Sequence, residues 1–384
     1  MHILIAPNAF KNSLPAEKAA TAISRGLQQS GLSCTIECFP VGDGGDGTAA
    51  LLLHHFGGIT VTAPVHDPLG KKIDSFFGVT NDGATAIIEL ADASGLRLLK
   101  AEQYDPLHAG TYGTGELVLA ALDRQVRKII LCIGGSATID AGMGILQALG
   151  LKLIDSQKKI LPGGPAAFSS IFLIDATTLD NRLQEIELIV LCDVENTLLG
   201  PAGSAPVFGP QKGASPGQVK ELQALLTHLN EVVKTRTGKD MSALKHGGAA
   251  GGVAAGLYAF AGARLVNGIN YFLESTGISE ALDKADLLIT GEGSIDLQTL
   301  HGKGPFGVAR LAREKGIPVI GMAGKIPEAP SAELLEYFTE LISINDPVED
   351  EATAMRHTEE NLVKAAERLG SRITLPMANN FIKF

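Results

Sequence analysis

Residues 287–303, LLITGEGSIDLQTLHGK, most constrain what this chain can fold into. They open on an apolar run, Leu287, Leu288 and Ile289, that suits a buried strand. The run breaks at Gly291-Glu292-Gly293, and Ser294, Asp296, His301 and Lys303 crowd the positions that follow. Open α/β sheets place their ligands beyond the carboxyl ends of the strands. A strand that exits into carboxylates, glycines and a lysine therefore predicts a site. A plain turn between strand and helix rarely needs two acids, a histidine and a lysine together.

The same pattern recurs along the chain. Residues 3–6 are strand-like, and the loop after them sets Lys11 where a ligand would lie. Past Pro15, the residues Ala16, Ala19, Ala20, Ile23 and Leu27 share one helical face. Residues 35–41 read as a second strand, followed by Gly42-Asp43-Gly44-Gly45-Asp46-Gly47 and a helical run at 49–56. Gly42, Gly44 and Gly47 spell the GxGxxG dinucleotide fingerprint. Asp43 and Asp46 argue against that reading. Inside a loop that hugs a pyrophosphate they would cost on the order of several kcal/mol of like-charge repulsion. They suit a magnesium ion or the hydroxyls of a polar substrate better.

Residues 128–133 form another strand, running into Gly134-Gly135-Ser136-Ala137-Thr138 and then a helix. Small residues at a strand-to-helix turn let N–H groups face an anion at the positive end of a helix dipole, which predicts a phosphate cradle. Residues 188–192 are a strand ending at Asp193, and the loop FGPQKG brings in Lys212. Residues 247–252 open a helix so poor in large side chains that a ligand or another element must approach its backbone. Residues 317–322 form a late strand with Ala323-Gly324-Lys325 as its exit.

A length of 384 residues suits two domains. The Pro-Gly-charge cluster at 67–72 marks a boundary, and the hairpin chemistry at Asn81-Asp82-Gly83 differs from the opening units. The tail alternates strand and helix as the start does. The expected fold class is α/β, with residues 1–68 and 284–384 forming one discontinuous domain and residues 69–283 inserted. A net charge of −10 without a basic stripe makes nucleic acid and anionic membranes poor partners. No apolar run is long enough to span a bilayer, and the start lacks a signal-peptide pattern. Cys34, Cys38, Cys132 and Cys192 form no CxxC pair, which fits a reducing cytoplasm and makes zinc a poor expectation.

No GxxxxGK[ST], HRD, DFG or HExxH occurs. Acids and lysines at loop positions, with several Gly-rich turns, suit phosphoryl transfer: lysines and amides hold phosphates, and a carboxylate deprotonates the attacking hydroxyl. The set IAPNAFKNSL, VGDGGDGT, GTGEL, IGGSATIDAGMG, FGPQKGAS and GEGSIDLQTLHGKGP closely resembles the bacterial glycerate kinase family of the glycerate 2-kinase type (class I). The likeness runs in the family's order from the first strand to Gly324. The family's opening Ala-Pro-Asp-Ser is Pro7-Asn8-Ala9 here, so Asn8 is given no catalytic role. Its acidic Gly-Glu-Gly is Gly45-Asp46-Gly47, which keeps the charge.

The resemblance implies a cytoplasmic kinase of glycerate metabolism that uses ATP and magnesium, with D-glycerate as acceptor and 2-phosphoglycerate as product. It also implies a discontinuous Rossmann-like parallel-sheet domain, a second α/β domain inserted in it, and an active site between the two. On that basis Asp193 or Asp296 takes the proton of the C2 hydroxyl and the other, with Asp43 or Asp46, helps hold magnesium. Lys11, Lys212 or Lys303 neutralises the transferring phosphoryl group. Asp43, Gly44, Gly45, Asp46, Ser294 and Lys303 are expected at the acceptor. Gly134, Gly135, Ser136, Thr138 and Lys212 are expected at the ATP phosphates. A nucleotide-dependent oxidoreductase, a non-catalytic sugar-acid sensor and a kinase making 3-phosphoglycerate are the alternatives.

Overall fold

The computed structural model describes residues 1–301, 303–345 and 349–374. In chain order its strands are β1 (His2–Ile5), β2 (Thr35–Cys38), β3 (Gly58–His66), β4 (Lys72–Thr80), β5 (Thr85–Glu89), β6 (Lys128–Cys132), β7 (Lys152–Ile154), β8 (Leu173–Asp175), β9 (Glu187–Cys192), β10 (Arg264–Asn267), β11 (Leu287–Ser294), β12 (Val319–Lys325) and β13 (Glu340–Ser343). The chain forms two compact units: Met1–Asp43 with Ile269–Phe384, and Gly44–Gly268.

The discontinuous unit is built on a five-stranded sheet in the order β13-β12-β11-β1-β2, parallel at every pairing. Parallel strands covered on both faces read as near-continuous apolar runs, as Ile3-Leu4-Ile5 and Leu287-Leu288-Ile289 do; all six are fully buried. Ile3 and Ile5 join one core with helices Ala16–Gln29 and Thr358–Thr374. Those two helices cross at small residues. A Cβ built on Gly26 would lie 2.2 Å from the Val363 carbonyl oxygen, and one on Gly370 2.1 Å from Ser30 Oγ. Gly26→Ala is therefore expected to force the helices apart and destabilise by about 1–3 kcal/mol, read as a lower urea midpoint.

Sequence expectation and structure differ at two points here. β11 does not break at Gly291 but runs on to Ser294, pairing Gly291 with Met322 and Glu292 with Ala323. Gly291 is needed for that approach, because a Cβ there would meet the Met322 carbonyl oxygen at 2.1 Å. Likewise Ala323, Gly324 and Lys325 are the last residues of β12, not a loop beyond it.

The second unit carries a six-stranded mixed sheet in the order β10-β9-β6-β5-β4-β3, parallel from β10 to β5 and antiparallel from β5 to β3. β7 and β8 form a separate antiparallel pair. The core packs the apolar runs of β5, β6 and β9 against helices Tyr112–Leu122, Met143–Ala148 and Pro216–Thr237. The last of these starts on a capping box between Ser215 and Gln218 and stops at Gly238 in the left-handed conformation.

The compact units divide after Asp43 and after Gly268, where residues 68 and 283 were expected. β3 pairs with β4 from Gly58↔Thr80 to His66↔Lys72, so the cluster at 67–72 is the hairpin turn between them. Asp67 Oδ1 closes that turn by accepting from the N–H groups of Leu69 and Lys71, both at 2.9 Å. At the other end, helix Gly268–Thr276 packs on helix Gly304–Glu314: a Cβ on Gly307 would stand 2.5 Å from Ile269 Cγ1.

Candidate active site

In the discontinuous unit the exits of β1, β11 and β12 surround one cavity of about 540 Å³. Three lysines line it: Lys11 past β1, Lys303 at the N-cap of helix Gly304–Glu314, and Lys325 at the end of β12. Glu292 and Ser294 of β11 line it as well. Glu292 is buried; its Oε1 accepts from Thr299 Oγ1 at 3.2 Å and lies 3.7 Å from Lys303 Nζ. Burial pushes its carboxyl up to about 7; Lys303 opposes the shift, Asp43 adds to it, and Lys11 and the Thr299 hydroxyl oppose it. A carboxyl poised near neutrality on a cavity wall has the protonation range of a general base. Glu292 stands in the stretch that predicts the site, yet nothing in the sequence singles it out from its neighbours.

Asp43 is buried, and its Oδ2 accepts from Asn8 Nδ2 at 2.8 Å. Asn8 in turn is fixed by its own N–H, which donates to the Gly291 carbonyl at 2.8 Å. Asn8 thus orients Asp43, a supporting role compatible with its missing carboxylate. Asp296 follows β11; its N–H donates to Thr299 Oγ1 at 3.1 Å, and its carbonyl accepts from the Thr299 N–H at 3.0 Å.

In the second unit the Gly-rich turns at residues 44–47 and 134–138 come together, and several of their donors are already engaged. The Gly134 N–H donates to the Gly44 carbonyl at 3.0 Å and the Ala137 N–H to the Ser94 carbonyl at 2.9 Å. The Asp46 carboxylate lies where a Cβ on Gly135 would be, 2.5 Å from that point. Lys212 is buried and donates to Ser136 Oγ at 2.6 Å and to the Thr138 carbonyl at 2.7 Å. Burial pushes its ammonium down to about 7, against the pull of Asp140 and Asp193. Lys212 therefore pins the loop at residues 134–138. Asp193, at the exit of β9, is half-buried and close enough to act on Lys212.

Two Gly-rich helix starts of this unit hold an internal carboxylate. At helix Thr48–Phe56, Glu89 accepts from the N–H of Gly47 at 2.8 Å and of Ala49 at 3.3 Å. That is where a dinucleotide's pyrophosphate would sit, so the GxGxxG reading fails on geometry as well as charge. At helix Met143–Ala148, Asp140 accepts from the N–H groups of Gly142 and Gly144, both at 3.1 Å, and from Thr111 N–H at 2.8 Å and Oγ1 at 2.7 Å. Burial raises the Asp140 carboxyl, and these donors oppose the shift.

Glu89, Asp92 and Arg97 form a cluster that sequence reasoning missed. Arg97 pairs with Asp92 and stands 3.9 Å from Glu89. Burial pushes Glu89 up to about 7 and Asp92 up to about 6, with Asp46 adding to both and Arg97 opposing. The available signal was a lone acid, Glu89, closing an apolar strand. At the glycines of residues 247–252, the close neighbour is protein: Ala250, Gly251 and Gly252 are left-handed, and a Cβ on Gly251 would stand 1.9 Å from the Thr138 carbonyl oxygen.

No helix among the described residues is long and apolar enough to cross a membrane. Residues 3–374 match the family model described as the glycerate kinase family. The chain is 42% identical over 369 residues to a glycerate kinase of Haemophilus influenzae, covering 96% of this chain and 98% of that one. It is 39% identical over 379 residues to the glycerate 2-kinase of Escherichia coli K12, covering 99% and 100%. A crystal structure from Salmonella typhimurium LT2 assigned to glycerate kinase 2 superposes with a TM-score of 0.80 at 39% identity, over 97% of this chain and 98% of that one. With the motifs in order along nearly the whole chain and a matching α/β architecture, the protein belongs to the glycerate kinase family.

Proposed function

We propose that the protein transfers the γ-phosphoryl group of ATP to the C2 hydroxyl of D-glycerate, giving 2-phosphoglycerate and ADP. The observation that carries this reading is the lysine-lined cavity with Glu292 on its wall. In the step, the hydroxyl oxygen bonds to the γ-phosphorus as the bond from that phosphorus to the β,γ-bridging oxygen breaks. Of Asp193, Asp296 and Glu292, Glu292 best fits the proton acceptor. It alone combines burial, a place on the cavity wall and a carboxyl raised toward neutrality. The lysines offset the charge on the transferring group.

One of Asp296 and Asp193 is then the carboxylate proposed for magnesium. Among the described residues no group of three or more His, Cys, Asp or Glu could hold a metal. Magnesium kept by one or two carboxylates plus substrate phosphates needs no such group, so the residues present fit it. When bound, the ion supplies charge neutralisation across the phosphate oxygens. The test is ADP release by the pure protein with and without D-glycerate. Release that depends on the acceptor supports the kinase; glycerate binding without release would favour a sensor.

A further inference from the structure

Where the nucleotide sits follows from topology and from what the Gly-rich turns already hold. β1 lies between β11 and β2, so the chain leaves β1 toward β2 on one side and later builds β11, β12 and β13 on the other. Parallel crossovers are right-handed, so helices Ala16–Gln29 and Gly304–Glu314, which connect strands in opposite directions, cover opposite faces. The gap between the carboxyl ends of β1 and β11 is then a topological switch point, the place where open α/β sheets bind ligands. The cavity with Lys11, Lys303 and Lys325 opens there. At about 540 Å³ it lies in the range of nucleotide-sized ligand pockets.

Several Gly-rich turns of the second unit already spend amides on protein groups. Glu89 and Asp140 occupy the helix starts at Thr48 and Met143, a Cβ on Gly251 would meet the Thr138 carbonyl oxygen, and the amides of Gly134 and Ala137 are spent on carbonyls. We propose, resting on the kinase reading above, that the triphosphate of ATP binds in the switch-point cavity of the discontinuous unit, with Lys11, Lys303 and Lys325 as its phosphate-holding residues. Lys303 also brings the positive end of the helix Gly304–Glu314 to the phosphates. Phe10, Ala354 and Met355 give the cavity an apolar wall for the nucleoside. Two carboxylates share the lining. Glu292 lies 3.7 Å from Lys303 Nζ, and Glu349 Oε1 lies 2.7 Å from His357 Nδ1, so both carboxylates already face cationic or polar partners.

The test uses an acyl-phosphate derivative of ATP, which acylates lysines lying against bound phosphates, followed by peptide mapping with and without excess ATP. ATP-protected acylation at Lys11, Lys303 or Lys325 is the expected result. Calorimetry of Lys325→Met is expected to show ATP binding at least ~10-fold weaker, the size of one lost charge-assisted bond. Acylation confined to lysines of residues 44–268, Lys212 above all, would overturn the assignment. So would protection by D-glycerate instead of ATP, or unchanged ATP affinity in a folded Lys325→Met. Neither measurement needs turnover. Labelling at these lysines without glycerate-dependent ADP release would sink the acceptor reading and leave the nucleotide site standing.

Discussion

Glu292→Gln is expected to lower kcat for glycerate phosphorylation by ~100- to 10,000-fold, the range for loss of a general base. The side chain keeps its size and can still accept from Thr299 and sit beside Lys303, so substrate affinities should change far less than kcat. The wild-type rate should fall about tenfold per pH unit below about 7, where Glu292 takes up its proton, and that limb should vanish from the residual rate of the variant. Stability should move the other way. A carboxyl whose folded pKa is raised from 4.5 to about 7 stabilises the fold at low pH and loses that contribution as pH rises through this window. Gln mimics the protonated form, so the variant should be no less stable than wild type at pH 8. A variant within tenfold of wild-type kcat would move the base to Asp193 or Asp296.

Asp140→Ala should have the largest effect on stability, at least ~3 kcal/mol. The carboxylate is fully buried and accepts from four donors, two of them on Thr111 and the others on Gly142 and Gly144. Accepting on both oxygens from four donors is the work of an ionised carboxylate, and each donor left unpaired in the core costs about 1–3 kcal/mol. Lys212 would also lose one of the two carboxylates that offset its burial. Urea unfolding monitored by circular dichroism measures this. Asp140→Asn should fall between, since it keeps one acceptor oxygen. A wild-type midpoint for Asp140→Ala would mean that the turn at residues 140–144 holds itself without the carboxylate.

Much of this was legible in the sequence, for reasons that also show where legibility ends. The apolar runs at β1, β6, β9 and β11 announce buried parallel strands because such strands need no polar face. β3 escaped notice: it lies at the edge of its sheet with Gly58, Ile59, Thr60, Thr62 and Pro64 exposed, so it lacks that apolar signature. The Gly-rich turns were placed correctly, but their role as a phosphate cradle depends on which group faces their amides. At helix Thr48–Phe56 that group is Glu89, 42 residues beyond Gly47 in the chain, and no local pattern reveals the contact. Lys325 is in the same position. It reads as part of the exit from a strand until β12 is laid beside β11 and Ser294 pairs with it.

Phosphorus NMR of the product formed from ATP, magnesium and D-glycerate tests the central claim most directly. A glycerate-dependent 2-phosphoglycerate signal is expected to appear as ATP is converted to ADP. A 3-phosphoglycerate signal would contradict the C2 assignment, and ATP left intact in the presence of D-glycerate would contradict the reaction itself.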